Sequence, residues 1–165
     1  MKNIILLLED NMNMNEHIKK LLKEQPELSD YRIESVHRID LARDFFDEHK
    51  YEICCIITDL NMNDEWLDVD WITETNGGIF SGWVWLRHCV YNRDPESKDS
   101  DDYAGMPDMP TIICSGYTNL FEEELKKNCK LSELRKSNIR LVPKGAGEGM
   151  GFSKLFAELK EILDI

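Results

Sequence analysis

Apolar residues in this chain gather in short unbroken runs, and each run stops on a polar side chain. Ile53-Cys54-Cys55-Ile56-Ile57, inside Tyr51 to Thr58, shows no polar side to water. A run of that length predicts a strand buried on both faces. It stops at Asp59. Ile4 to Leu8 has the same form and stops at Glu9-Asp10, Thr111 to Cys114 delivers Ser115-Gly116, and Ile139 to Val142 leads through Pro143 to Lys144. Tyr31 to Val36 alternates instead, which predicts a half-exposed, edge-like strand.

Helical spacing fills the intervals. Asn11 is placed to cap a helix through about Lys23, with Ile18, Leu21 and Leu22 as its inward stripe and Pro26 beyond its end. Asp40 begins a second helix with Leu41, Ala42, Phe45 and Phe46 on the inner face. Asn63 to Gly78 reads as a long acidic connection carrying Trp66 and Trp71, and a third helix runs from about Phe80 to Tyr91. Trp83 and Trp85 in that helix read as packing residues; Trp66 and Trp71, in an acidic loop, read as a lid or a partner surface or, more simply, as packed on their own domain. The stretch from Asn92 to Asp108 is polar and acidic, a solvated connection. A helix with Leu120, Phe121 and Leu125 follows the fourth strand, with a short helical piece near 132–136. A last helix spans about Phe152 to Leu163.

Five strands alternating with helices predict an α/β protein of three layers, a doubly wound, five-stranded parallel sheet covered on both faces. No repeat or linker divides it, so 1–165 reads as one domain with insertions at about 63–78 and 92–109. In such sheets the ligand site forms beyond the carboxyl ends of the strands. Every polar run-stop named above lies there.

Composition narrows the function. The formal net charge of −12 argues against direct contact with nucleic acid, which needs a basic face. No apolar run approaches the roughly 18 residues that span a bilayer. Five cysteines, at 54, 55, 89, 114 and 129, sit mostly in apolar runs with no Cys-x-x-Cys pair, as reduced core thiols of a cytoplasmic protein do. His17, His37, His49 and His88 show no metal-ligand spacing.

Glu9, Asp10 and Asp59 would stand on adjacent strand ends, about 4.8 Å apart. Carboxylates that close repel one another unless a cation joins them. Hard oxygen donors suit Mg²⁺. A carboxylate can also act as a nucleophile and take a phosphoryl group, whose oxygens then need neutralising donors. Lys144 and the Ser115 hydroxyl are of the right type. Each residue taken alone has a plainer reading: Asp59 and Ser115 as turn residues, Glu9-Asp10 as acids opening a helix. The glycine-rich 145–151 stretch matches no nucleotide-cradling pattern.

In this order, the motifs resemble the receiver domain of two-component response regulators over essentially the whole chain. The resemblance implies the CheY-like, flavodoxin-like strand order 2-1-3-4-5. It implies Asp59, in Thr-Asp-Leu-Asn-Met, as phospho-acceptor, and Asp10, Asp59 and the main-chain carbonyl of Asn61 as Mg²⁺ ligands, with Glu9 acting through water. Ser115 and Lys144 take the hydroxyl and lysine positions. It further implies a signalling domain rather than an enzyme, phosphorylated by a sensor histidine kinase or a phosphotransfer protein. Output would go to a downstream protein target, with a phosphorylation-linked dimer as one state. Because the chain closes with its fifth sheet-covering helix, a stand-alone receiver is expected.

Four features depart from the pattern. Asn63 follows the motif methionine where proline is usual, Gly145 follows the lysine, Leu141 stands at the aromatic switch position, and two connections are long. They favour an alternative, a receiver-like adaptor that binds partners without phosphorylation. A phosphatase of the haloacid dehalogenase type ranks last, because the general acid it requires two residues after the nucleophile is Asn61 here.

Overall fold

The computed structural model describes residues 2–91, 105, 106, 108–127, 138–144 and 150–165. Five strands form one wholly parallel sheet: β1 Ile4–Leu8, β2 Arg32–Val36, β3 Ile53–Thr58, β4 Thr111–Ser115 and β5 Ile139–Pro143. Their spatial order is β2-β1-β3-β4-β5, as expected.

The unbroken apolar runs are explained by cover on both faces. Alternate residues point opposite ways along a strand. Ile4, Leu6 and Leu8 enter one core with Ile39, Ala42 and Phe46 of α2 (Ile39–His49). Val84, Trp85 and Leu86 join them from α4 (Ser81–Trp85) and its continuation, as do Phe121 and Leu125 of α5 (Thr118–Lys127). Ile5, Leu7, Cys55, Ile57, Ile112 and Cys114 enter the second core with Ile18 and Leu22 of α1 (Met12–Lys23) and Leu155 and Leu159 of α6 (Met150–Leu163). Each such Leu or Ile contributes roughly 1.5–3 kcal/mol on burial. β2 is one of the two edge strands, with Ile33 its one buried side chain.

Asn11 caps α1 as expected, its side chain accepting from the Met14 amide at 3.1 Å. Two helix readings need correction. α2 begins at Ile39, so its inner stripe is Ile39, Ala42 and Phe46, and Leu41, turned some 100° per residue away, is exposed. The third predicted helix is α-helical only over Ser81–Trp85 and continues as a π-helix over Leu86–Tyr91, where Tyr91 donates its hydroxyl to Thr111 Oγ1 at 2.5 Å. The connection after β3 is not featureless. It holds 3₁₀ turns at Asp64–Trp66 and Thr73–Thr75 and a one-turn helix, α3, at Val69–Ile72.

Cys54, Cys55, Cys89 and Cys114 are free thiols. Burial pushes the Cys54 and Cys114 thiols up to about 11 and about 12, so both stay protonated and inert at neutral pH. No helix among the described residues is long and apolar enough to cross a membrane. The helix expected near 132–136, Cys129, the glycine-rich 145–149 stretch and nearly all of the 92–109 insertion lie outside the described residues.

Candidate functional site

β1 and β3 end level because Leu8 pairs with Thr58. The Asp59 amide donates to Leu8 O at 3.1 Å and the Glu9 amide to Val36 O at 3.2 Å, so the ladder carries on past both strands and sets Glu9 and Asp59 abreast. A register shift produces this alignment. Ile4 pairs with Ile53 but Ile5 with Cys55, leaving Cys54 as the extra residue. Uninterrupted pairing would instead set Asp10 level with Asp59.

Two carboxylates abreast need a counter-charge, and Lys144, just past β5, supplies it. Its ammonium donates to Glu9 Oε2 at 2.5 Å and also to Asp59 Oδ2. Glu9 is 2% exposed, so the cluster works in a low-dielectric setting. Burial raises the Glu9 carboxyl above the ordinary range, outweighing the attraction of Lys144. Burial alone would lower Lys144, but the charges of Asp59 and Glu9 together lift it above the ordinary lysine value. Both shifts describe one balance: a single ammonium shared by two carboxylates satisfies the lysine more fully than either acid.

Backbone amides hold the remaining oxygens. Asp59 Oδ1 accepts from the Leu60 amide at 2.6 Å and the Asn61 amide at 3.2 Å, which fixes the carboxylate and leaves Oδ2 toward Lys144. Glu9 Oε1 accepts from the Asn11 amide at 3.2 Å. Asp10 Oδ2 accepts from the Asn63 amide at 2.9 Å, which ties the end of β1 to the loop after β3. Ser115 is buried; its Oγ accepts from the Tyr117 amide at 3.2 Å and keeps its own proton to donate. Its carbonyl accepts the Lys144 amide at 3.0 Å. Glu9, Asp59 and Lys144 therefore touch, while Asp10, Asn61 and Ser115 flank them through main-chain bonds.

Among the described residues, no three His, Cys, Asp or Glu side chains already converge as a metal cage, and the Lys144 ammonium occupies the junction of Glu9 and Asp59. The donor set of Asp10, Asp59 and the Asn61 carbonyl is nonetheless all hard oxygen, and that chemistry fits a hard divalent cation.

No protein-family model and no curated protein sequence matches the chain. Solved structures do. The non-phosphorylated HemR receiver domain from Leptospira biflexa aligns with a TM-score of 0.57 at 15% identity, covering 99% of this chain and 96% of that one. A response regulator receiver domain protein from Clostridium thermocellum aligns at 0.53 and 18%, covering 99% of each. The chain has the receiver-domain fold. Within that fold the Glu9–Lys144–Asp59 cluster crowns the carboxyl ends of β1, β3 and β5.

Three supporting residues escaped the sequence reading. Asn15 is buried on α1 and donates through Nδ2 to Glu9 O at 2.9 Å and Val36 O at 2.8 Å, clamping the ends of β1 and β2 together. A polar residue three before Ile18 and seven before Leu22, on the apolar stripe, was its signal. Ser81 Oγ accepts from the Met62 amide at 2.9 Å and reaches Met62 O and Gly78 O, pinning the loop that follows Asp59. Gly82 donates to Leu60 O at 2.9 Å, and a Cβ placed on it would stand 1.9 Å from the Asp59 carbonyl oxygen. Close approach, not unusual dihedrals, is what demands glycine here. Gly82→Ala must push the start of α4 off the backbone of Asp59, an expected loss of about 1–3 kcal/mol in urea unfolding. A wild-type midpoint would show that the helix start yields freely.

Proposed function

We propose that this chain is a phospho-receiver that accepts a phosphoryl group on Asp59 from a phosphohistidine of a sensor kinase or phosphotransfer protein and passes the signal on through protein contacts. The observation that carries the reading is the Glu9–Lys144–Asp59 cluster, in which one oxygen of Asp59 is tied down by two amides and the other faces an ammonium. Asp59 Oδ2 would attack phosphorus as the P–N bond of phosphohistidine breaks, its electron pair returning to the imidazole nitrogen. Attack of water on the acyl phosphate would later break the new P–O bond, releasing phosphate and restoring the carboxylate. Lys144 already reaches Oδ2, where the transferred charge arrives, and Ser115 offers a hydroxyl proton nearby in the chain of strand ends. Asp10, Asp59 and the Asn61 carbonyl would hold Mg²⁺, with Glu9 acting through water. Bound there, Mg²⁺ would supply neutralisation of the phosphoryl oxygens.

The phosphorylation-independent adaptor is the second reading. It is favoured by the Lys144 ammonium already bridging the two central carboxylates.

Intact-protein mass measurement after incubation with acetyl phosphate, with and without Mg²⁺, tests the proposal. The expected result is a Mg²⁺-dependent gain of one phosphoryl group. No gain from acetyl phosphate, phosphoramidate or a phosphorylated phosphotransfer protein would leave the adaptor as the function.

A further inference from the structure

The connection between β3 and α4 is held down on one side and left apolar on the other. Leu67 is buried in the core, Trp71 stacks on His88 with ring centroids 4.4 Å apart at 9°, and Thr75 is buried and hydrogen-bonded to Ile72 O. The opposite side presents Trp66, Val69 and Ile72, which are 36%, 80% and 38% exposed. Val69 and Ile72 lie one turn apart on α3 and share its face, while Trp66 closes the preceding 3₁₀ turn and is joined to α3 through Leu67 and Asp68, both extended. Single exposed apolar side chains are ordinary, but three such side chains gathered within a short anchored segment mark a contact surface.

Charge identifies the occupant. From Tyr51 to Leu86 the sequence contains no lysine or arginine, and Asp64, Glu65, Asp68, Asp70 and Glu74 flank the apolar stripe. The neighbouring arginines are already engaged. Arg38 pairs with Asp40 and lies over the Trp66 ring at 3.7 Å, Arg43 approaches Asp44 and Asp68, and Arg87 pairs with Glu74. Asp64, Glu65 and Asp70 have no ion pair among the described residues. An apolar stripe with acidic flanks is complementary to an amphipathic helix whose apolar face is bordered by lysine or arginine. We propose that Trp66, Val69 and Ile72, framed by these acids, form a docking surface for a basic amphipathic helix of a partner protein. The surface stands independently of phosphoryl uptake, since none of its side chains belongs to the Glu9–Lys144–Asp59 cluster.

The test uses the full chain and a labelled designed peptide with leucines on one helical face and lysines on the other, followed by fluorescence anisotropy and amide NMR. The peptide should bind and shift resonances of segments 64–75 and 87–88, and a peptide with glutamates replacing the lysines should not bind. The charge-neutral double variant Val69→Ser/Ile72→Ser, altered only at exposed side chains, should bind about tenfold more weakly or worse. A remote double variant, Glu16→Gln/Glu123→Gln, should bind nearly as wild type. Unchanged affinity in the serine variant, or equal losses in both variants, would reduce the effect to net charge and overturn the proposal. So would a wild-type dimer in sedimentation that the serine variant abolishes, because the occupant would then be a second copy of this chain.

Discussion

Asp59→Asn is expected to abolish phosphoryl uptake completely while leaving the protein folded. The amide oxygen of asparagine can still accept from the Leu60 and Asn61 amides that now hold Asp59 Oδ1, so the loop keeps its anchor. What is lost is the nucleophile, because an amide has no anionic oxygen to attack phosphorus. Stability should change little. Asp59 adds to the repulsion that raises Glu9, and its removal leaves one lysine for one buried carboxylate, a neutral pair. The new amide N–H₂ facing the ammonium works against that gain, so the net change should stay within about 1 kcal/mol. Mass measurement with acetyl phosphate and urea unfolding check both halves. Label retained in the variant would remove Asp59 from its proposed role.

Lys144→Met should cost the most stability of any substitution at this site. It strands Glu9, deeply buried, and Asp59 abreast without a cation, and breaking a buried pair from one side costs about 3–5 kcal/mol. The loss should depend on pH in a defined direction. A buried acid whose folded pKa is raised favours the folded state below its unfolded pKa and opposes it as pH rises through the folded value. Without the lysine, Glu9 is raised further still. The gap between variant and wild type should therefore be small at acid pH and widen toward neutrality. In the wild type, Lys144 is itself raised, so its stabilisation is present at neutral pH and is lost only as alkaline pH passes that raised value. Adding Glu9→Gln to Lys144→Met should recover part of the loss at pH 7. If urea midpoints show no recovery, the penalty comes from lost packing by the lysine stem and not from the stranded charge.

The strands and the polar residues at their ends were legible because a strand covered on both faces is built almost wholly of apolar side chains, so a charge or hydroxyl at its end stands out. Asp59, Ser115 and Lys144 were conspicuous against their runs for that reason. Leu41 was misplaced because helix phase depends on where the first turn starts, and Ile39, one residue before Asp40, starts it. Ser81 and Gly82 were invisible because their importance lies in the backbone they touch, far away in sequence. The 63–78 connection looked like a plain acidic loop because its turns are too short to show a period. Its exposed stripe emerged only once Leu67 and Trp71 were seen anchoring the other side.

The sequence by itself determined a parallel, doubly covered sheet and the side chains that collect at its carboxyl edge, since burial and alternation are local properties of composition and spacing. Which of those carboxylates share the lysine was decided by tertiary structure. The shift at Cys54 sets Glu9, not Asp10, level with Asp59, and strand register depends on pairing between segments some fifty residues apart. The same holds for Lys144, which β5 brings across the sheet to two acids that no periodicity in the chain connects to it.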